Sequence, residues 1–439
     1  MAYADLTRWM FNLERFGIKL GLENATEFLS RIGNPQNDFK SIHVTGTNGK
    51  GSVCVYTAEM LRQNGLKVGL YTSPHLVDFR ERIRLNGSDI SESDVVRLAT
   101  ELRAQMESMA SENSEKQLTF FEFTTGLAFR YFSEQDVDIV VAEVGMGGRL
   151  DATNVLKPEV AAITRIGLEH TNYLGTTIPE IAREKAGIIK GGANVVTCER
   201  NPDALSVIST TCDKKGVRLR KIDSDFRVQR VTQTVDGTLF DYAGAHNLEG
   251  LSTRLLGDYQ AENAAAAIAI LEELSTRGFR ISEESVREGL KQTVWPGRMD
   301  IISKVPLVIF DGSHNPDGVR TTVRVLDDLK LKPLTFVLGC MDDKDARGIV
   351  NAIVPFASKI ISTQTRFKRA LPSVKLAAIV RDEFQGPRER TDVSEEAFER
   401  AVDDTMGRGV CVIGSLYLVG EAIQWWKGRT SARGLPHKI

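Results

Sequence analysis

Thr45-Gly46-Thr47-Asn48-Gly49-Lys50-Gly51-Ser52 follows an apolar run, Ile42-His43-Val44, and leads into Val53 to Asn64, whose periodicity is helical and which Gly65 closes. Glycines placed between a strand and a helix let the backbone curl until successive N–H groups converge on an anion. The helix N-terminus adds its positive dipole end, and Lys50 adds a mobile point charge. Ser52 would then offer its hydroxyl to a magnesium ion. The spacing is not the common G-x-x-x-x-G-K-[ST], because Gly51 separates Lys50 from Ser52. A Gly/Asn surface turn is the alternative, but the flanking strand and helix favour a phosphate cradle.

Working outward, Lys67 to Tyr71 reads as a second strand and completes a βαβ unit. Val137 to Val144, Val160 to Thr164 and Ala193 to Thr197 read as buried parallel strands. Between Ser206 and Leu256 the pattern weakens into short polar and β-branched pieces with a hairpin turn at Asp236-Gly237. Tyr259 to Ser275 is an alanine-rich buried helix. Trp295-Pro296-Gly297-Arg298 then punctuates the chain, and the strand–helix alternation restarts. Strands are expected at Leu307 to Phe310, Leu334 to Leu338, Lys359 to Thr363 and Val410 to Ile413, with helices from Asp317 and after Asp343. The expected architecture is α/β: a large, mostly parallel sheet domain at residues 1–296 carrying the phosphate loop, and a smaller Rossmann-like domain at 297–439. Ligands of open parallel sheets sit beyond the carboxyl ends of the strands, so a nucleotide is expected in a cleft shared by the two.

The 439 residues are 42% hydrophobic and 26% charged, enough for two cores without disulfide staples. A net charge of −2 gives no footprint for nucleic acid, so small molecules are the expected partners. Cys54, Cys198, Cys212, Cys340 and Cys411 are scattered without a C-x-x-C and read as reduced core thiols. No signal-peptide pattern and no run of about 18 apolar residues is present, so a cytoplasmic monomer without membrane contact is expected.

Glu143 ends the buried run Ile139 to Val144 and must be paired or metal-bound there, with Arg149 as the alternative partner to magnesium. Magnesium prefers oxygen, so Ser52 or Ser73 with one carboxylate and phosphate oxygens is an adequate set. His170 follows a strand in the same way, although a lone histidine also serves structure. Asp311-Gly312-Ser313-His314-Asn315-Pro316 ends a strand of the second domain, where it reads either as a ligand-facing edge or as a plain turn and helix start. Arg298 precedes it.

As a set, these motifs resemble the folylpolyglutamate synthase and dihydrofolate synthase family of the Mur ligase superfamily. The resemblance spans nearly the whole chain: the glycine loop, Thr72 to Leu76 with Glu81 to Ile83, Glu143 to Asn154, His170 with Leu174-Gly175, and Glu184 to Ile188. Asn263, Pro296-Gly297-Arg298, Asp311 to Pro316, Asp343 to Asp345 and Gly414 to Tyr417 continue it. It implies that Asn48, Gly49, Lys50, Gly51 and Ser52 hold ATP phosphates, and that Asn263, Arg298, Asp311 and His314 meet the nucleotide. It implies Ser73, Glu143 and His170 as magnesium ligands and a carbamate on Lys185, with Lys50, Glu143, His170 and Lys185 carrying the chemistry. For the pterin or folate it implicates Ile18, Lys19, Leu20 and Gly21, then Thr119, Phe120, Phe121 and Glu122, then Leu150, Asp151 and Ala152. The implied reaction adds L-glutamate to a dihydropteroate or folate carboxylate through an acyl phosphate, with His314 a candidate base. Three positions depart from the family pattern: Glu169, Met146 and Ser313 stand where aspartate, an aliphatic residue and alanine are usual. Other Mur-type ligases and a nucleotide switch are the competing readings; only about 45 residues precede the loop, which leaves no room for the N-terminal domain of the cell-wall enzymes.

Overall fold

Strand β1 (Lys40–Thr45) is buried from Ser41 onward, as an apolar run between parallel neighbours must be. The computed structural model describes residues 2–17, 19–404 and 409–432. β1 lies inside an eight-stranded sheet completed by β2 (Val68–Tyr71), β3 (Ile83–Leu85), β4 (Ser88–Asp89), β5 (Ile139–Glu143), β6 (Val160–Ile163), β7 (Asn194–Thr197) and β8 (Leu219–Lys221). The order is β4-β3-β2-β5-β1-β6-β7-β8. From β2 to β8 every pairing is parallel, and the short edge strands β3 and β4 pair antiparallel. The register sets His43 of β1 opposite Ala142 of β5 and Ala161 of β6, small residues that leave room for its ring.

Aromatic side chains of the helices Tyr3–Asn12, Glu23–Arg31 and Phe120–Glu134 form one core on this sheet, with Phe28, Phe123, Phe129 and Phe132 fully buried. Helix Lys50–Gln63 packs against helix Glu283–Gln292 so closely that a Cβ on Gly289 would lie 2.5 Å from the Cα of Met60. Asn64 fastens the far end of that pair, its amide donating to Arg280 O at 2.6 Å and its Oδ1 accepting from Ser282 N and Ser285 Oγ, each at 3.1 Å.

The stretch after Ser206, expected as short pieces with local antiparallel structure around a hairpin turn, begins inside a helix. Helix Pro202–Lys215 starts on Asn201, whose Oδ1 accepts from Asp203 N and Ala204 N, and stops at Gly216 in the left-handed region at φ 63°. β8 then joins the large sheet. Only beyond it do β9 (Arg227–Thr234), β10 (Gly237–Ala243) and β11 (Asn247–Thr253) form a separate three-stranded sheet, with Asp236 in the turn between β9 and β10.

The C-terminal sheet comprises β12 (Asp300–Lys304), β13 (Leu307–Phe310), β14 (Leu334–Leu338), β15 (Ala357–Ser362), β16 (Arg388–Arg390) and β17 (Val410–Ile413), in the order β12-β13-β17-β14-β15-β16. All pairings are parallel except the edge pair β12–β13. The chain forms two compact units: residues 1–230, 240–252 and 260–293 in the first, and 231–239, 253–259 and 294–439 in the second. The single division expected at 296/297 does not include the two short crossings before residue 260. Among the described residues no helix is long and apolar enough to cross a membrane, and all five cysteines are buried and unpaired.

Candidate active site

Because β2, β5, β1 and β6 are parallel neighbours, the loops that follow them share the carboxyl edge of the first sheet. The loop after β1 is the glycine cradle. Gly46 sits at φ 150°, where a Cβ would fall 1.8 Å from Thr164 Oγ1, and Gly49 at φ 94°, where it would fall 2.5 Å from Asn263 Oδ1. Only glycine fits at either place, and Asn263 is thereby placed against the loop. Thr47 stitches the cradle to the loop after β6, donating from its amide to Arg165 O at 2.8 Å and accepting from Gly167 N at 2.9 Å. Asn48 is exposed; Gly51 and the buried Ser52 lie in the first turn of helix Lys50–Gln63.

Two ammonium groups meet at the floor of this cradle. Lys50 Nζ donates to Gly46 O at 3.0 Å and Thr47 O at 3.1 Å. Lys185, in the last turn of helix Ile178–Ala186 and only 4% exposed, donates to the same Gly46 O at 2.7 Å. Burial, reinforced by the neighbouring Lys50 charge, lowers the Lys185 amine to about 7. Thr45, Gly145, Met146, Gly147, Glu169 and His170 line the same small pocket. Lys50 and the glycine backbone give this pocket the donors an anion needs, with Glu169 as the carboxylate on its lining.

The expected magnesium ligands lie at this edge too. Glu143 is 5% exposed and accepts from Ser73 N at 2.9 Å. Arg149, the alternative partner, pairs instead with Glu184 at 2.9 Å. His170 is exposed at the mouth of the pocket, with φ 51°. Among the described residues no group of three or more His, Cys, Asp or Glu forms a closed metal site.

The expected acceptor residues fall on three adjoining segments, except Ile18, which lies outside the described residues. Lys19 Nζ donates to Glu115 O at 3.0 Å and Gln117 O at 2.8 Å, fastening the exposed Leu20 and the half-buried Gly21 beside the approach to Thr119. Thr119 and Glu122 form a capping box on helix Phe120–Glu134, so hydrogen bonds local to the helix account for both, and burial raises the Glu122 carboxyl. Phe120 stacks on Phe11 at 5.4 Å beneath the Arg82 guanidinium. Phe121, half-buried, lies against Gly145, where a Cβ would be 2.6 Å from its Cζ. Leu150 is half-buried and Ala152 buried; between them Asp151 accepts from Met146 N and Thr153 N, each at 3.0 Å.

In the second unit Asp311 is 1% exposed, and its carboxylate is occupied by Met299 N at 2.8 Å, Ser313 N at 3.0 Å and Thr322 Oγ1 at 2.8 Å. It thus fixes the turn that carries the half-exposed Arg298. His314 Nδ1 lies 2.9 Å from Gly312 O; a carbonyl only accepts, so Nδ1 carries the proton and Nε2 is the basic nitrogen. Sequence reasoning assigned no role to His75, which accepts from Arg82 Nε at 2.8 Å, or to the Phe367–Tyr417 stack at 4.0 Å. Both lie inside or beside quoted motifs, but their partners are set by tertiary packing.

A family model described as the Mur ligase middle domain matches residues 44–271, and one described as the Mur ligase, glutamate ligase domain matches residues 297–416. The folylpolyglutamate synthase of Lacticaseibacillus casei is 33% identical, over 98% of this chain and all of its own. The dihydrofolate synthase/folylpolyglutamate synthase of Bacillus subtilis is 32% identical, over 96% of this chain and 98% of its own. A crystal structure of Mycobacterium tuberculosis folylpolyglutamate synthase complexed with ADP and AMPPCP superposes with a TM-score of 0.90 at 30% identity, covering 99% of both chains. On these matches, this chain belongs to the folylpolyglutamate synthase and dihydrofolate synthase family, ATP-dependent ligases of the Mur type.

Proposed function

We propose that this chain joins the α-amino group of L-glutamate to the carboxylate of a pteroate or folate while ATP is cleaved to ADP and phosphate. The observation that carries this reading is the glycine cradle at the start of helix Lys50–Gln63, with Lys50 as its cation and the buried Lys185 reaching the same Gly46 carbonyl. Asn48, Gly49, Gly51 and Ser52 would present backbone and hydroxyl donors to the phosphates, and Asn263 and Arg298 would serve the nucleotide, with Asp311 holding the turn that carries Arg298. Lys50 offsets the repulsion as an acceptor carboxylate oxygen attacks the γ-phosphorus and ADP leaves. In the resulting acyl phosphate, the glutamate amine attacks the carbonyl carbon, the C–O bond to phosphate breaks, and His314 Nε2 takes the amine proton.

Ser73, Glu143 and His170 suit a magnesium ion, whose bound charge would neutralise phosphate oxygens. Glu169 carries one methylene more than the usual aspartate beside His170 and sets that ion's surroundings. An amine held near 7 is largely able to react with carbon dioxide, so a carbamate on Lys185 is part of the proposal. A 13C carbamate resonance in labelled bicarbonate, missing in Lys185→Met, reads it out. The proposed working unit is one chain in the cytoplasm, with no nucleic acid or membrane partner.

The test is product formation. Phosphate release should require ATP, L-glutamate and either dihydropteroate or tetrahydrofolate, and mass spectrometry should find one glutamyl unit added. Turnover that ignores glutamate and yields no amide overturns the reading.

A further inference from the structure

Alternate residues of a strand share a face, and on β1 that face presents His43 and then Thr45 to the segment that follows β5. Thr45 Oγ1 donates to Gly147 O at 2.6 Å. His43, fully buried, places Nε2 2.8 Å from Thr153 Oγ1, and Thr153 Oγ1 in turn donates to Asp151. Asp151 also accepts from Met146 N at 3.0 Å. The stretch from Met146 to Thr153 is thereby pinned to β1 near both ends.

The direction of the chain follows from counting protons. A threonine hydroxyl has one hydrogen, and here it goes to Asp151, so its oxygen must accept from His43. That fixes the proton on Nε2 and leaves Nδ1 bare, and Nδ1 is indeed buried with no partner. Burial, together with the charge of Lys190, lowers the ring's pKa to about 3 and keeps it neutral. Ile42 and Val44 beside it are fully buried. An aliphatic side chain at residue 43 would leave no unpaired atom, so packing alone does not account for an imidazole.

We propose that His43 is a positioning residue for the acceptor, orienting Asp151 through Thr153 and holding Leu150 to Ala152 in place beside β1. The inference rests on the reading that Leu150, Asp151 and Ala152 meet the pterin or folate. It requires nothing of the ATP phosphates.

The experiment measures KM for tetrahydrofolate, dihydropteroate and ATP in His43→Phe, His43→Gln, Thr153→Val and Asp151→Asn. Loss of one hydrogen bond in the relay should raise the acceptor KM roughly five- to tenfold in His43→Phe and Thr153→Val and leave that for ATP within about twofold. His43→Gln, whose amide can still donate to Thr153, should recover most of the loss. Thr153→Val removes one hydroxyl at constant shape and serves if His43→Phe does not fold. Equal rises in acceptor and ATP KM, or no rise in either, overturn the proposal. 15N spectra should show His43 protonated on Nε2; a proton on Nδ1 refutes the relay independently of kinetics. An unchanged acceptor KM in Asp151→Asn, with the Nε2 proton present, overturns the acceptor assignment instead.

Discussion

Replacing Lys185 with methionine removes an amine that the fold holds against its charge. The shift from 10.5 to about 7 makes the protonated form cost about 5 kcal/mol in the folded state. Because the folded pKa is the lower one, the unfolded chain binds the extra proton between these values. Stability therefore rises with pH through that window, and the full cost is present below it. Between pH 6 and pH 9 the wild type should recover about 3 kcal/mol of this cost. Lys185→Met has nothing to recover, and the hydrogen bond to Gly46 is lost equally at both pH values. Urea unfolding of both proteins without ligand, in buffers free of carbon dioxide, should show a stability difference that moves by about 3 kcal/mol in favour of wild type from pH 6 to pH 9. Parallel pH profiles would refute the claim that a titrating amine is buried under the cradle.

Lys50→Ala should lower kcat/KM about 10²- to 10³-fold with an unchanged far-UV spectrum; activity near wild type would remove Lys50 from the chemistry. Gly49→Ala forces a Cβ toward Asn263 Oδ1 at a left-handed φ, a strain of about 1–3 kcal/mol, and should weaken AMPPCP binding in calorimetry. Unaltered affinity would mean the loop relaxes freely. Asp311→Asn sets an amide among three hydrogen-bond donors and should destabilise the second unit by about 1–3 kcal/mol, seen as faster hydrogen exchange at Met299 and Ser313. Exchange as slow as in wild type would show that the Arg298 turn is held by other contacts.

The strand, glycine loop and helix were legible because each is local: the apolar run, the turn and the 3.6-residue period fall within about 25 consecutive residues. Helix Pro202–Lys215 was missed although Asn201, Pro202 and Gly216 bracket it with start and stop signals; only Ala204, Ile208 and Cys212 are buried along it, so its apolar stripe is thin. Strands β3 and β4 span three residues and two, too few to show a period. Lys185 is marked in the sequence only by the resemblance that Glu184 to Ile188 carries. A lysine in the last turn of a helix is ordinary, and its acceptor, Gly46, lies 139 residues away. Asp311 reads in the sequence either as a ligand-facing carboxylate or as part of a plain turn, and the three donors that occupy it come from the turn at Met299, from Ser313 and from the helix at Thr322, which no spacing announces.

The close approach of Gly289 to Met60 has a mechanical meaning. Where two helices touch through side chains, a small displacement of one is absorbed by rotamer changes in the other. Here backbone bears on backbone, and Asn64 ties the far end of the pair. Little slack therefore separates the helix that begins with Lys50 from the helix that ends at Gln292, and any residue larger than glycine at 289 should wedge them apart.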